Sequence, residues 1–223
     1  MSEMTKNLYL KKLANFLLMR LYRLKYLKLI INFYFWKNSA FNANKIPQYI
    51  KLATIIRYKA EDSIFIETGT YLGDTTAALE RYFLKTYTIE PDLKLYNLAK
   101  NRFKDSQKIT CINATSEQSL ANLIKNLTGS VTFYLDGHYS LGNTFLGDQS
   151  TPISLELTVI SHFLDNFKNV SVIVDDVGAF GSGNLGSGDW PRRVELVEWA
   201  EKNNFWWNIE YNMFIAKKNH KLV

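Results

Sequence analysis

The 223-residue chain has one cysteine, Cys111, four prolines and three histidines. A single thiol excludes an internal disulfide framework, and its apolar setting (Ile109-Thr-Cys-Ile112) marks it as a buried structural cysteine that suits a reducing cytoplasm. No compact apolar stretch leads to a small-residue cleavage site, so no secretory leader is read. Nor is there a long uncharged apolar run: Arg20, Arg23, Lys25 and Lys28 interrupt the most apolar segment, which argues against a transmembrane helix. With 47% hydrophobic and 22% charged residues, the composition is that of an ordinary soluble globular protein.

Acidic residues are scarce at one end. Residues 1–38 carry eight Lys or Arg and the single acid Glu3, whereas the remainder holds 19 basic and 20 acidic residues. The net charge of +6 therefore belongs to the arm, and the domain has no basic excess of the kind a nucleic-acid groove needs. The charges from Lys11 to Lys28 spread around a helix rather than along one side. Two readings of the arm stay open. It is either a helical cap on the domain or on a second subunit, or a peripheral attachment to an anionic membrane surface. Residues 1–42 form this arm and 43–223 an α/β domain; the expected location is cytoplasmic, or peripheral at the inner membrane face.

What is present is a beat. Apolar runs beginning at Ser63, Thr86, Lys108 and Val131 close on Glu67, Glu90, Asn113 and Asp136, each 23 positions after the last. Helical patterns over 74–85, 91–104 and 116–126 fill the gaps. This is the period of a strand–helix unit, and successive units build a parallel sheet with right-handed crossovers. A fifth unit, helical over 153–166, ends in the strand Val170–Val174 and Asp175-Asp176. Two last apolar runs, Phe205–Ile209 and Met213–Ala216, are too closely linked for a parallel crossover and predict an antiparallel pair. The polar residues at the strand ends then share the sheet edge where α/β proteins bind ligands.

Glu67-Thr-Gly-Thr-Tyr-Leu-Gly73 follows the first strand; Gly69 permits close backbone approach, and a helix begins at Asp74. The segment lacks the middle glycine of a dinucleotide fingerprint, which disfavours NAD. Together with the unit order, this segment resembles the class I S-adenosylmethionine-dependent methyltransferases over roughly residues 46–218. The resemblance implies a Rossmann-like doubly wound, mostly parallel seven-stranded sheet with a C-terminal antiparallel hairpin strand. It also implies a cofactor site formed by Glu67, Gly69, Thr70, Gly73, Glu90, Asn113, Ala114 and Asp136, with Glu90 on the ribose hydroxyls and Asn113-Ala114 near the adenine.

Asp136, Asp175 and Asp176 are expected on one rim, where three carboxylates would repel each other unless a cation neutralised them. An acid after the fourth strand and a pair after the fifth resemble the metal site of catechol-type O-methyltransferases, and still more that of sugar O-methyltransferases of the macrocin type. The resemblance implies Mg2+ or a similar divalent cation on Asp136, Asp175 and Asp176. The loop from Tyr139 to Pro152 is longer than in that pattern. His138 and Asp136 are the candidate catalytic residues, His138 as base or ligand. The loops over 140–151 and 178–190 are candidate substrate gates, and Tyr71, Tyr139 and Trp190 candidate stacking walls for a sugar ring. The expected reaction is O-methylation of a sugar, glycan or related small molecule. Rival readings are a nucleotide-sugar-using transferase and a non-catalytic module recruited through the arm. Nucleic-acid methylation is disfavoured, because Asp136-Gly-His-Tyr lacks the aromatic motif it would need.

Overall fold

The computed structural model describes residues 26–39, 42, 46–136, 151–181 and 191–219. The chain divides into two compact units, Met1–Gln48 and Tyr49–Val223. In the first unit, residues 26–38 are helical and end at a small cap: Ser39 Oγ donates to Trp36 O at 2.7 Å and Trp36 Nε1 to Asn42 O at 3.1 Å. Ile30, Phe33, Tyr34 and Phe35 of this helix are exposed. Among the described residues no helix is long and apolar enough to cross a membrane.

The second unit is built on one seven-stranded sheet. Its strands are β1 (Ser63–Thr68), β2 (Thr86–Ile89), β3 (Ile109–Ile112), β4 (Gly129–Leu135), β5 (Phe167–Val174), β6 (Trp206–Glu210) and β7 (Met213–Asn219). The helices are α1 (Gln48–Tyr58), α2 (Asp74–Leu79), α3 (Leu93–Arg102), α4 (Ser116–Ile124), α5 (Ile153–His162) and α6 (Arg193–Lys202). The strand order is β3-β2-β1-β4-β5-β7-β6. Pairs among β1 to β5 are parallel, β6 and β7 pair antiparallel as the sequence spacing predicts, and β7 also runs antiparallel to β5. Strand order reverses at β1, which lies between β2 and β4, so the crevice beyond its carboxyl end is the topological switch point.

Alternation along the strands sorts two cores. Ile66, Phe133, Leu135, Val172, Val174 and Phe214 pack with residues of α4, α5 and α6 on one face. Phe65, Tyr134, Ile173 and Ile215 pack with Ile55 of α1 and Leu79 of α2 on the other. The β6–β7 hairpin turns on Tyr211 and Asn212, both left-handed (φ 48° and 62°), as a two-residue turn between twisted strands requires.

Three elements differ from the sequence expectation. Strand β1 runs on to Thr68, so Glu67 lies inside a strand and not after one. The first helical stretch breaks at Leu79 into a 3-10 turn over Glu80–Tyr82, since β2 begins only a few residues later. Helix α6 was not read from the sequence at all.

Candidate functional site

The parallel ladder extends one hydrogen bond past several strand ends and so fixes the rim. Gly69 N donates to Ile89 O at 3.0 Å, Glu90 N to Ile112 O at 2.9 Å, Asp136 N to Thr68 O at 3.1 Å and Asp175 N to Leu135 O at 3.0 Å. The sequence-predicted residues after β1, β2, β4 and β5 are thereby brought to one edge.

The loop after β1 is set by two left-handed glycines. Gly69 has φ 89°, and Gly73, with φ 76°, precedes the first turn of α2. A Cβ on Gly73 would meet the Phe103 ring at 2.7 Å, so this position excludes a side chain twice over. Between them Tyr71, also left-handed at φ 48° and half-exposed, donates its backbone N–H to Glu90 Oε2 at 2.8 Å. Glu90 Oε1 accepts from Asp92 N at 3.0 Å. Backbone amides thus hold both oxygens, with the Thr70 backbone a further donor toward the charge, and the carboxylate stands at the loop as an acceptor for hydroxyls. Burial raises the Glu90 pKa against those two amides.

Two predicted cofactor residues turn inward instead. Glu67 is buried and accepts from the hydroxyls of Thr76 and, at 2.7 Å, Thr88, its register neighbour on β2. Burial pushes its pKa up to about 7. Thr70 Oγ1 lies 2.5 Å from Thr88 Oγ1 and is likewise buried. Glu67 and the Thr70 hydroxyl therefore tie the glycine loop to β2 and α2 from beneath, whereas the sequence reading expects both residues at the cofactor. Asn113 is exposed at the end of β3, and its Nδ2 donates to Glu90 O at 2.8 Å and Pro91 O at 3.1 Å, bracing the β2 end; Ala114 follows it, half-buried.

The acidic rim has an occupant that the sequence did not announce. Lys51, on α1, lies 2.8 Å from both Asp175 oxygens and 3.3 Å from Asp176 Oδ1. Asp175 also accepts from Asp176 N at 2.8 Å and from the Tyr134 hydroxyl at 2.5 Å. Tyr134 reaches Asp136 Oδ2 at 3.5 Å. Asp176 is left-handed (φ 53°) and its Oδ1 accepts from Asn212 Nδ2 at 3.0 Å, so the hairpin turn braces this corner. Burial and the Asp136 charge push Asp175 up to about 6 against the pull of Lys51. For Lys51, burial works to lower the pKa, but the neighbouring Asp175 and Asp176 charges outweigh it and the pKa is raised.

Two members of the expected ligand set, Asp175 and Asp176, thus hold a lysine. Among the described residues no group of three or more His, Cys, Asp or Glu could hold a metal ion. The neutralising cation on Asp175 and Asp176 is an ammonium, and Asp136 adds to its field. His138, Tyr139, Trp190 and most of both candidate gate loops lie outside the described residues. Sequence reasoning also missed Glu156 of α5, which is buried and makes no well-aligned hydrogen bond, although the Ser116 and Thr68 hydroxyls favour its charge. The orphaned hydroxyl of Thr68 lies close by, and burial pushes the acid's pKa up to about 7, eased by Ser116 and Thr68. An acid in the otherwise apolar pattern of α5 was the available signal.

No family model and no curated protein matches the sequence. Solved structures do match. A proposed caffeoyl-CoA O-methyltransferase from Staphylococcus aureus superposes with a TM-score of 0.51 at 16% identity, covering 76% of this chain and 83% of that one. The methyltransferase domain of bacterial CtHen1-C gives 0.51 at 15% identity, covering 80% and 100%. An O-methyltransferase family protein from Burkholderia thailandensis gives 0.50 at 8%, covering 78% of this chain and 57% of that chain. The chain has the class I methyltransferase fold. Identities this low establish the fold and nothing finer.

Proposed function

We propose that the chain is an S-adenosylmethionine-dependent methyltransferase that methylates a hydroxyl oxygen of a sugar, glycan or related small molecule. The observation that carries the reading is Glu90. Its carboxylate stands beside the Gly69 loop at the switch point, held by backbone amides of that loop and of Asp92, where it can accept from a ribose diol. Gly69, with its positive φ, fits the same ligand by letting the backbone approach a nucleoside and its amino-acid tail closely.

When bound, S-adenosylmethionine supplies an electrophilic sulfonium methyl, so the protein's task is chiefly alignment. Asp136, half-buried on the rim, is the described group placed to take the acceptor hydroxyl's proton as the new C–O bond forms and the C–S bond breaks. The buried Glu67, Thr70 and Thr88 cluster keeps the loop in register. No step is routed through a metal; of the three acids expected to hold one, Asp175 and Asp176 make their contacts with Lys51, Tyr134 and Asn212. The choice of a sugar or similar acceptor rests on the resemblance of the acid pattern to sugar O-methyltransferases. The basic arm, in this reading, attaches the enzyme to an anionic membrane surface, which sedimentation with phosphatidylglycerol vesicles tests.

Calorimetric titration with S-adenosylhomocysteine tests the cofactor. Micromolar binding that Glu90→Ala abolishes is expected. Absence of binding to the wild-type chain would overturn the reading and favour the nucleotide-sugar alternative.

A further inference from the structure

We propose that Lys51 is the resident cation of the acidic rim, standing where a divalent metal would otherwise be required, so that the acceptor side of the site is metal-free. The proposal deepens the methyltransferase reading, but its geometry does not depend on that reading.

The argument is a count of lone pairs. A carboxylate offers about four acceptor positions. Asp175 Oδ1 accepts from Lys51 and from Asp176 N, each at 2.8 Å, and Oδ2 accepts from Lys51 at 2.8 Å and from Tyr134 at 2.5 Å. Nothing is left for a metal bond. On Asp176, Oδ1 is shared between Lys51 at 3.3 Å and Asn212 at 3.0 Å. The ammonium has three donors and makes three contacts, so it too is fully used.

Its position is also built in. Ile55, one helical turn beyond Lys51 on α1, is completely buried against the face that holds Phe65 and Tyr134. Residues at i and i+4 share a helix face, so seating Ile55 directs Lys51 to the same side. The lysine side chain is 16% exposed and that of Asp175 3%, which makes this a largely desolvated pair. A hydrated Mg2+ entering here would have to displace the ammonium and break the Tyr134 contact. Lys51 is thus a positioning residue: it holds Asp175 and Asp176 in place.

The test uses Mn2+ as probe, followed by its electron paramagnetic resonance signal on the full chain. S-adenosylhomocysteine binding is measured on the same samples, so that failure of the cofactor reading is seen separately. The wild type and Lys51→Arg, which keeps the cation, are expected to show no saturable Mn2+ binding up to about 1 mM, the weak end of protein sites for hard divalent ions. Lys51→Ala vacates the acids and is expected to gain one saturable Mn2+ site and a melting temperature that rises with Mn2+. One-to-one Mn2+ binding by the wild type, lost in Asp175→Asn, would overturn the proposal. So would a folded Lys51→Ala that binds no Mn2+. Should Lys51→Ala fail to fold, the wild type and Asp175→Asn alone decide.

Discussion

Lys51 Nζ lies 2.8 Å from each carboxylate oxygen of Asp175, a residue 124 positions further along the chain. The contact joins the helix before the first strand to the end of the fifth. It sets one ammonium against two of the three neighbouring aspartates. Removing one partner of such a buried pair leaves a desolvated charge and costs about 3–5 kcal/mol. Lys51→Met is expected to lose stability of that order in urea denaturation, and Lys51→Met with Asp175→Asn to lose markedly less. Equal losses in the single and double variants would show that the pair is not coupled.

The sequence foretold the sheet because its signal is local. Four of the runs ended in a polar residue at a constant spacing, which gave the parallel units, and the short link between the last two runs gave the antiparallel pair; the strand order itself came only with the structure. The roles of the rim residues were less legible. Whether Glu67 faces a ligand or a threonine depends on where β1 stops, and the alternation of a short strand does not say. Lys51 was invisible because nothing in a helical stretch announces a contact with a distant carboxylate. Tyr134 read as one more core aromatic, although its hydroxyl reaches Asp175.

Glu156 and Glu67 carry a pH signature. Burial pushes both from the ordinary 4.5 up to about 7. An acid whose pKa is higher folded than unfolded binds its proton first in the folded chain as pH falls. Stability should therefore rise as pH drops from about 7 to 4.5, and the burden should be fully present above that window. Glu156→Gln removes the charge without changing the shape, and should stabilise the chain at about pH 8 by on the order of 3 kcal/mol while changing little near pH 5. Urea denaturation at both pH values reads it directly. An unchanged pH slope in this variant would mean that Glu156 is solvated.

Gly73 is where backbone and packing coincide. Its φ of 76° and the 2.7 Å approach of a Cβ to Phe103 penalise any side chain independently. Gly73→Ala should cost about 3 kcal/mol. It should also weaken S-adenosylhomocysteine binding, since the same turn places Tyr71 N on Glu90. Shortening the ring with Phe103→Leu should recover only part of the stability, because the backbone strain stays. Full recovery would assign the whole cost to the clash.

Glu90 separates a ribose contact from a mere loop brace. Its two oxygens hold Tyr71 N and Asp92 N, so Glu90→Ala both removes the acceptor for the diol and frees two amides. Affinity for S-adenosylhomocysteine should fall about 100-fold, the loss expected for charged hydrogen bonds worth roughly 3 kcal/mol. The ligand's 2′,3′-dideoxy analogue resolves the two effects. It should bind the wild type weakly, and Glu90→Ala should weaken it little further, because the hydroxyls and the carboxylate are two ends of one interaction. If the mutation instead weakens both ligands equally, Glu90 acts only by holding the loop, and the carboxylate at the end of β2 reads no sugar.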